Sequence, residues 1–185
     1  MKHFLYIPFL ILFAAACGPR KPVVQTIPID RLYSVELPDN LRPGYDMHDY
    51  AGLQYYDAAT DFYVIGLDDS KSNFGKIQRQ RLKIKNYFDF AERTAFEHVD
   101  SIYQTAGQEF ETKQGLKAKT ADYFVQDPKM AENLPIFYRV CVFENEDHFF
   151  QLMIWMPYEV HCERYDWIEL ITQSFKVLED EEEDT

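Results

Sequence analysis

Residues 136–157 constrain the fold more than any other stretch of the chain. Ile136, Tyr138, Val140 and Val142 alternate along one run, and Phe150, Leu152, Ile154 and Met156 alternate along the next. Side chains of an extended strand point to opposite faces with a period of two, so each run presents one apolar face. Asn145, Glu146 and Asp147 form a short polar bend between them, which reads as an antiparallel hairpin. Pro157 ends the second strand because it brings no N–H to a ladder. A hairpin alone is marginal in water, so this one requires further strands or a helix over its apolar side.

The remaining sequence supplies both. Tyr33, Val35 and Leu37 alternate with Leu32, Ser34 and Glu36 until Pro38. Residues 53–57 and 62–67 flank a polar connection at 58–61, a second hairpin, while 109–113 and 116–125 bracket a turn at Gln114 and Gly115. Two stretches carry the helical period instead. Phe88, Ala91, Ala95, Val99 and Ile102 predict a helix over 88–103, with Asp89 and Glu92 at capping-box spacing. Trp167, Ile168, Ile171, Phe175 and Leu178 predict a last helix over 164–177. Strands, helix, strands, helix is the order of an α+β domain, an antiparallel sheet with helices packed on it. The expected domain runs over 31–178, and with 16% aromatic residues it has the material for a sizeable core.

The amino terminus is organised differently. Lys2 and His3 precede an apolar run at 4–13, and Ala14, Ala15 and Ala16 lead into Cys17 and Gly18. This layout resembles a bacterial lipoprotein signal, and the run is shorter than the about 20 residues that a spanning helix needs. The resemblance implies that 1–16 are a signal peptide and that Cys17 is the lipid attachment site. Residues 17–30, with Pro19, Pro22 and Pro28, then read as an extended tether. Arg20 and Lys21 stand where surface-exported lipoproteins of some lineages carry acids, so the resemblance favours the outer membrane, facing the periplasm. At the other end, 179–184 are all acidic, and 179–185 are expected to be a solvated, disordered tail.

Several phrases along the domain are similar to the PsbP-like superfamily. They are Tyr33-Ser34-Val35-Glu36-Leu37-Pro38, residues 51–56 with Tyr63-Val64-Ile65, the strand pair at 137–155, and Ile171-Thr172-Gln173-Ser174-Phe175-Lys176. That superfamily includes the extrinsic photosystem II protein and a Ran-binding nuclear transport factor, and the chain also resembles small lipoproteins of Bacteroidetes type. The resemblance implies a PsbP-like fold and a binding or assembly role with a protein partner, with no catalytic motif to carry over.

The residues themselves offer little chemistry. The chain has no Gly-rich phosphate loop, no paired-histidine metalloprotease motif and no serine elbow, so no catalytic residue and no cofactor is expected. Glu159, His161, Cys162 and Glu163 are the one cluster of ligand types and mark the alternative, an envelope enzyme with an unrecognised site. Residues so close in sequence rarely converge on one ion, so a polar loop and helix start is the plainer reading, without a metal. Cys141 and Cys162 are the thiols left once Cys17 is acylated; a disulfide between them and two free thiols both fit the sequence. Cys141 shares the less apolar side of its strand with Arg139, which argues against great depth.

Residues 71–85 carry Lys71, Lys76, Arg79, Arg81, Lys83 and Lys85 without an acid, inside a chain of net charge −12. Read functionally, they are a contact for an anionic surface; read plainly, they are a solvated loop or protected edge. The net charge speaks against a nucleic-acid partner. His48, His98 and His148 stand apart from any positioned carboxylate in the sequence and read as surface or satisfied residues.

Overall fold

The hairpin at 136–157 forms the middle of the sheet. In this computed structural model residues 22–78, 82–97, 99, 102–126 and 135–178 are described. In chain order the elements are β1 (Val24–Ile29), β2 (Tyr33–Pro38), β3 (Arg42–Pro43), β4 (Leu53–Asp57), β5 (Phe62–Ser70), α1 (Lys71–Gln78) and α2 (Ile84–Ala95). There follow β6 (Ile102–Gln104), β7 (Gln108–Glu111), β8 (Lys117–Val125), β9 (Ile136–Glu144), β10 (His148–Pro157), α3 (Tyr158–Ser174) and β11 (Lys176–Val177). The large sheet has the order β3-β4-β5-β10-β9-β8-β6, with β7 also pairing β8, and every pairing in it is antiparallel. A second, three-stranded sheet has the order β1-β2-β11.

Both faces of the large sheet are covered. On one side Phe137, Cys141, Phe143, Phe150, Leu152, Ile154 and Met156 pack with Tyr33, Val35 and Leu37 of the small sheet and with Ile168, Ile171 and Phe175. On the other side Val140, Val142, Phe149, Ala121 and Tyr123 pack under Phe74, Tyr87, Phe88, Ala91 and Phe96. The expected single apolar face per strand is therefore too simple for β9 and β10. Central strands covered twice become apolar on both sides, and β9 follows that pattern almost throughout. Tyr56, Tyr63, Trp155 and Tyr138 occupy one cross-strand row on the α2 side and stack in sequence, with ring centres 5.2–6.2 Å apart.

Five expected boundaries move. Residues 24–29, expected within the tether, form β1, paired with β2 from Val24↔Pro38 to Ile29↔Tyr33. Ile27 and Ile29 contribute to the core, which makes strand pairing more favourable than solvation for this segment. The helix expected over 88–103 is α2, shifted toward the amino terminus: the apolar stripe already begins at Ile84, and Lys83 rather than Asp89 is the cap. It stops at Phe96, whose ring turns into the core against Tyr123 and Tyr138, and residues 102–104 belong to a strand. The last helix starts at Tyr158, directly after Pro157, because the Tyr158 N–H finds the carbonyl of Pro135 at 2.9 Å. It ends at Ser174 because Phe175 extends to stack on Tyr33 and Phe143 and passes the chain to β11. Residues 108–111 and 117–125 form the expected strands around Gly115, whose φ of 79° suits a residue without a Cβ.

Candidate functional site

Arg139 is the one charged residue among the described residues that is buried, at 5% exposure. It lies on β9 between Phe137 and Cys141, on the face covered by α3. Asp122 stands directly opposite it on β8. The register places the two side chains on one face, and Arg139 grips the carboxylate with two parallel bonds, Nε to Oδ1 at 2.6 Å and Nη2 to Oδ2 at 2.9 Å. From α3, Glu169 takes a hydrogen bond from Nη1, and the Tyr165 hydroxyl accepts from Nη2 at 3.4 Å. The guanidinium carbon also lies 5.3 Å from the centre of the Tyr165 ring. Tyr165, Glu169, Thr172 and Gln173 fall at helical spacing, which directs them to the sheet together.

A cleft of about 210 Å³ opens beside this group. Its walls are Thr105 and Ala106 at the break between β6 and β7, Gln108 and Phe110 on β7, Thr120 and Asp122 on β8, and the α3 residues just named. Thr105 substitutes for a strand residue at the break: its N–H donates to the Asp122 carbonyl, and its hydroxyl accepts from the Asp122 N–H at 3.1 Å. Burial alone would lower the Arg139 pKa, but the hydrogen bonds and charge of Asp122 reverse this and the net direction is upward. At the inner end, Cys141 Sγ sits 3.1 Å from the Thr120 hydroxyl and 3.8 Å from that of Thr172. Burial pushes this thiol up to about 11, against the opposing pull of Arg139 and the two hydroxyls.

The residues singled out from sequence fall elsewhere. Cys141, expected to be shallow, is fully buried, because α3 covers the side of β9 that carries Arg139. Cys141 and Cys162 are both free, and Cys162 is exposed. Thr172, the α3 neighbour of Cys141, lies ten residues beyond Cys162, about 15 Å along a helix, too far for a disulfide. Glu159, His161, Cys162 and Glu163 form the first turns of α3, so of the expected loop and helix start they are the helix start, with the helix beginning before them at Tyr158. The His161 ring stacks on Phe137 and Tyr158, and its Nδ1 is bonded to the Tyr158 carbonyl at 3.0 Å. Among the described residues no group of three or more His, Cys, Asp or Glu side chains is placed to hold a metal.

The basic segment is divided. Lys71 opens α1, half-buried, 3.7 Å from Glu144 and 5.0 Å from the centre of the Phe149 ring. Lys76 and Lys83 are exposed, and Lys85 pairs with Asp89 at 2.6 Å. Arg79 and Arg81 lie outside the described residues, as do 1–21 with Cys17, His98, and 179–185. His48 accepts from the Tyr50 N–H, and His148 opens β10 with its ring stacked on Phe150.

The cleft was not found from sequence, although a signal was present. Arg139 is the lone cation in an otherwise apolar strand, and Asp122 is the lone acid of the strand at 116–125. A buried cation requires a buried partner, which makes a lone acid on another strand a candidate, although only the register pairs the two.

No family model matches the chain, and no curated protein matches it. Its structure, however, is similar to several that have been solved. The Ran-binding protein Mog1p of Saccharomyces cerevisiae superposes with a TM-score of 0.59 at 11% identity, over 86% of this chain and 97% of that one. LpqN, involved in cell envelope biogenesis of Mycobacterium tuberculosis, gives 0.57 at 12% identity, over 88% and 100%. Cyanobacterial PsbP from Synechocystis gives 0.54 at 10% identity, over 88% and 97%. These likenesses show the fold, antiparallel sheets with a few helices in the Mog1 and PsbP arrangement.

Proposed function

We propose that the chain is a lipid-anchored, non-enzymatic binding or assembly module of the bacterial cell envelope, held on the outer membrane through Cys17 and facing the periplasm. The observation that carries the binding role is the cleft beside Arg139. Its one guanidinium is spent on neighbouring carboxylates, because Arg139 is shared between Asp122 and Glu169. Its only thiol is enclosed and held in the protonated form at neutral pH. Such a cleft is built to hold a group in place, whereas nucleophilic chemistry needs an activated atom next to a base. The envelope role draws on the layout around Cys17 and on the fold shared with LpqN, and a protein partner on the fold shared with Mog1p.

Envelope fractionation after labelling with a radioactive fatty acid, combined with crosslinking, tests address and partner together. Wild-type protein is expected in the membrane fraction, labelled and crosslinked to a second protein. Cys17→Ser is expected to lose the label and leave the membrane fraction. An unlabelled wild-type protein in the soluble cytoplasm overturns the anchor, and the absence of any crosslinked partner overturns the assembly role.

A further inference from the structure

Resting on the reading of the Arg139 cleft as a binding site, we propose that it receives the cationic end of a lysine or arginine side chain, carried by an extended segment of a partner protein that pairs with the free edge of β7. Charge decides the sign of the ligand. Asp122 and Glu169 face one Arg139, which leaves an excess negative charge at the cleft. Arg139 is enclosed while the Glu169 side chain is 40% exposed, so an incoming group meets carboxylate before guanidinium. Only one Glu169 oxygen is engaged by a hydrogen bond among the described residues. Gln108, Gln173 and Thr105 add polar atoms around the mouth, and Phe110 and Tyr165 offer apolar surface for the methylenes of a long side chain.

Size and position decide who presents it. At about 210 Å³ the cleft lies below the roughly 300–1,000 Å³ of sites for drug-sized ligands, and suits one side chain. It opens beside β7, which pairs β8 on one side and has no strand on the other among the described residues. Gln108 and Phe110 of β7 line the cleft, whereas Glu109 and Glu111 alternate to the opposite face, where Lys119 and Lys117 stand across from them. Negative charge is thus matched on the far face and unmatched on the cleft face. A strand added to this edge would set every second side chain on the cleft side, which pairs main-chain affinity with selection for a cation.

The test uses the full chain in detergent micelles, labelled with nitrogen-15, and the peptide acetyl-Thr-Val-Lys-Val-Thr-amide as the probe. The peptide is expected to shift the amide signals of Gln108, Phe110 and Glu169. Replacing its lysine by glutamine, raising salt to about 0.5 M, or introducing Glu169→Gln in the protein should each weaken binding roughly five-fold or more. Glu169→Gln should leave the glutamine peptide unaffected, which separates lost charge from lost structure. Equal binding of the lysine and glutamine peptides overturns the proposal, as does the absence of shifts at those amides. Free lysine amide binding as tightly as the peptide overturns the strand-pairing part. A photocrosslinker at position 173 that captures an envelope partner while the lysine peptide fails would overturn the cation while keeping the binding role. Peptide binding with no captured partner would support the site while removing the assembly role.

Discussion

Arg139 concentrates the energetic risk of the fold in one residue. A paired charge in a sheet–helix contact contributes little net stability, but removing one partner leaves the other buried and unmatched. Arg139→Met is therefore expected to lower the unfolding free energy by about 3 kcal/mol. Arg139→Met with Asp122→Asn should recover part of that loss, since the orphaned carboxylate goes with the guanidinium. Glu169→Gln should cost under about 1 kcal/mol, because its side chain is 40% exposed and water screens the pair. Urea unfolding of the variants distinguishes the three. A second residue-scale prediction concerns Tyr33, whose buried hydroxyl finds no partner among the described residues. A Cβ added at Gly66 would lie 2.5 Å from that oxygen. Tyr33→Phe should raise stability by about 1 kcal/mol by removing an unmade hydrogen bond. Gly66→Ala should lower the melting temperature in the wild type and less so beside Tyr33→Phe, a non-additivity that a double-mutant cycle reads directly. Arg139 was visible as the lone cation of its strand and Asp122 as the lone acid of its own, but their pairing was not, because it depends on the register between β8 and β9. Tyr165 and Glu169 were hidden further: both lie inside the helix expected over 164–177, but its pattern marks only the apolar stripe of Trp167, Ile168 and Ile171, to which neither belongs.

At the scale of elements, β1 makes the sharpest test. Deleting residues up to 21 should leave the melting temperature unchanged, whereas deleting through 30 should lower it markedly. The longer deletion strips the ladder from β2 and exposes Tyr33 and Val35, which the small sheet buries. Equal melting temperatures for the two truncations would return this segment to the tether. The same strand shows why sequence reading missed it. Val24, Thr26 and Pro28 are exposed, Gln25 and Ile27 only half-buried, and two prolines flank or interrupt the run, so local pattern pointed to a linker. Its stability comes from a partner that lies beyond a tight turn in which Asp30 and Arg31 both have positive φ. Strands β2, β5, β8, β9 and β10 were legible because their own alternation or apolar content sufficed. Helix ends were not, because α2 and α3 stop where Phe96 and Phe175 find ring partners from distant strands.

For the molecule as a whole, the interior groups that titrate share one sign at high pH. Cys141 is raised from 9.0 to about 11, and burial drives the phenols of Tyr33, Tyr87 and Tyr123 upward as well. A folded-state pKa above the unfolded one means that the native state holds the proton more tightly, so this stabilisation is complete below the unfolded value and is lost as pH climbs through the folded one. For Cys141 the window is from about pH 9 to about pH 11. Unfolding free energy is expected to be level from pH 7 to about 9 and to fall steadily above it. Cys162 should react with a thiol reagent in the native protein at pH 8, and Cys141 only after unfolding. Prompt native labelling of Cys141 would contradict its enclosure.

One consequence follows from the way both ends of the domain meet on β2. The chain arrives opposite Pro38 and departs opposite Tyr33, so its entrance and exit sit at opposite tips of the same strand, about 17 Å apart at 3.3 Å per residue. With Cys17 acylated as proposed, the entrance tip looks toward the bilayer and the exit tip toward open periplasm. Leu178, the last described residue, would then leave the domain on the leeward side, away from the anionic headgroups.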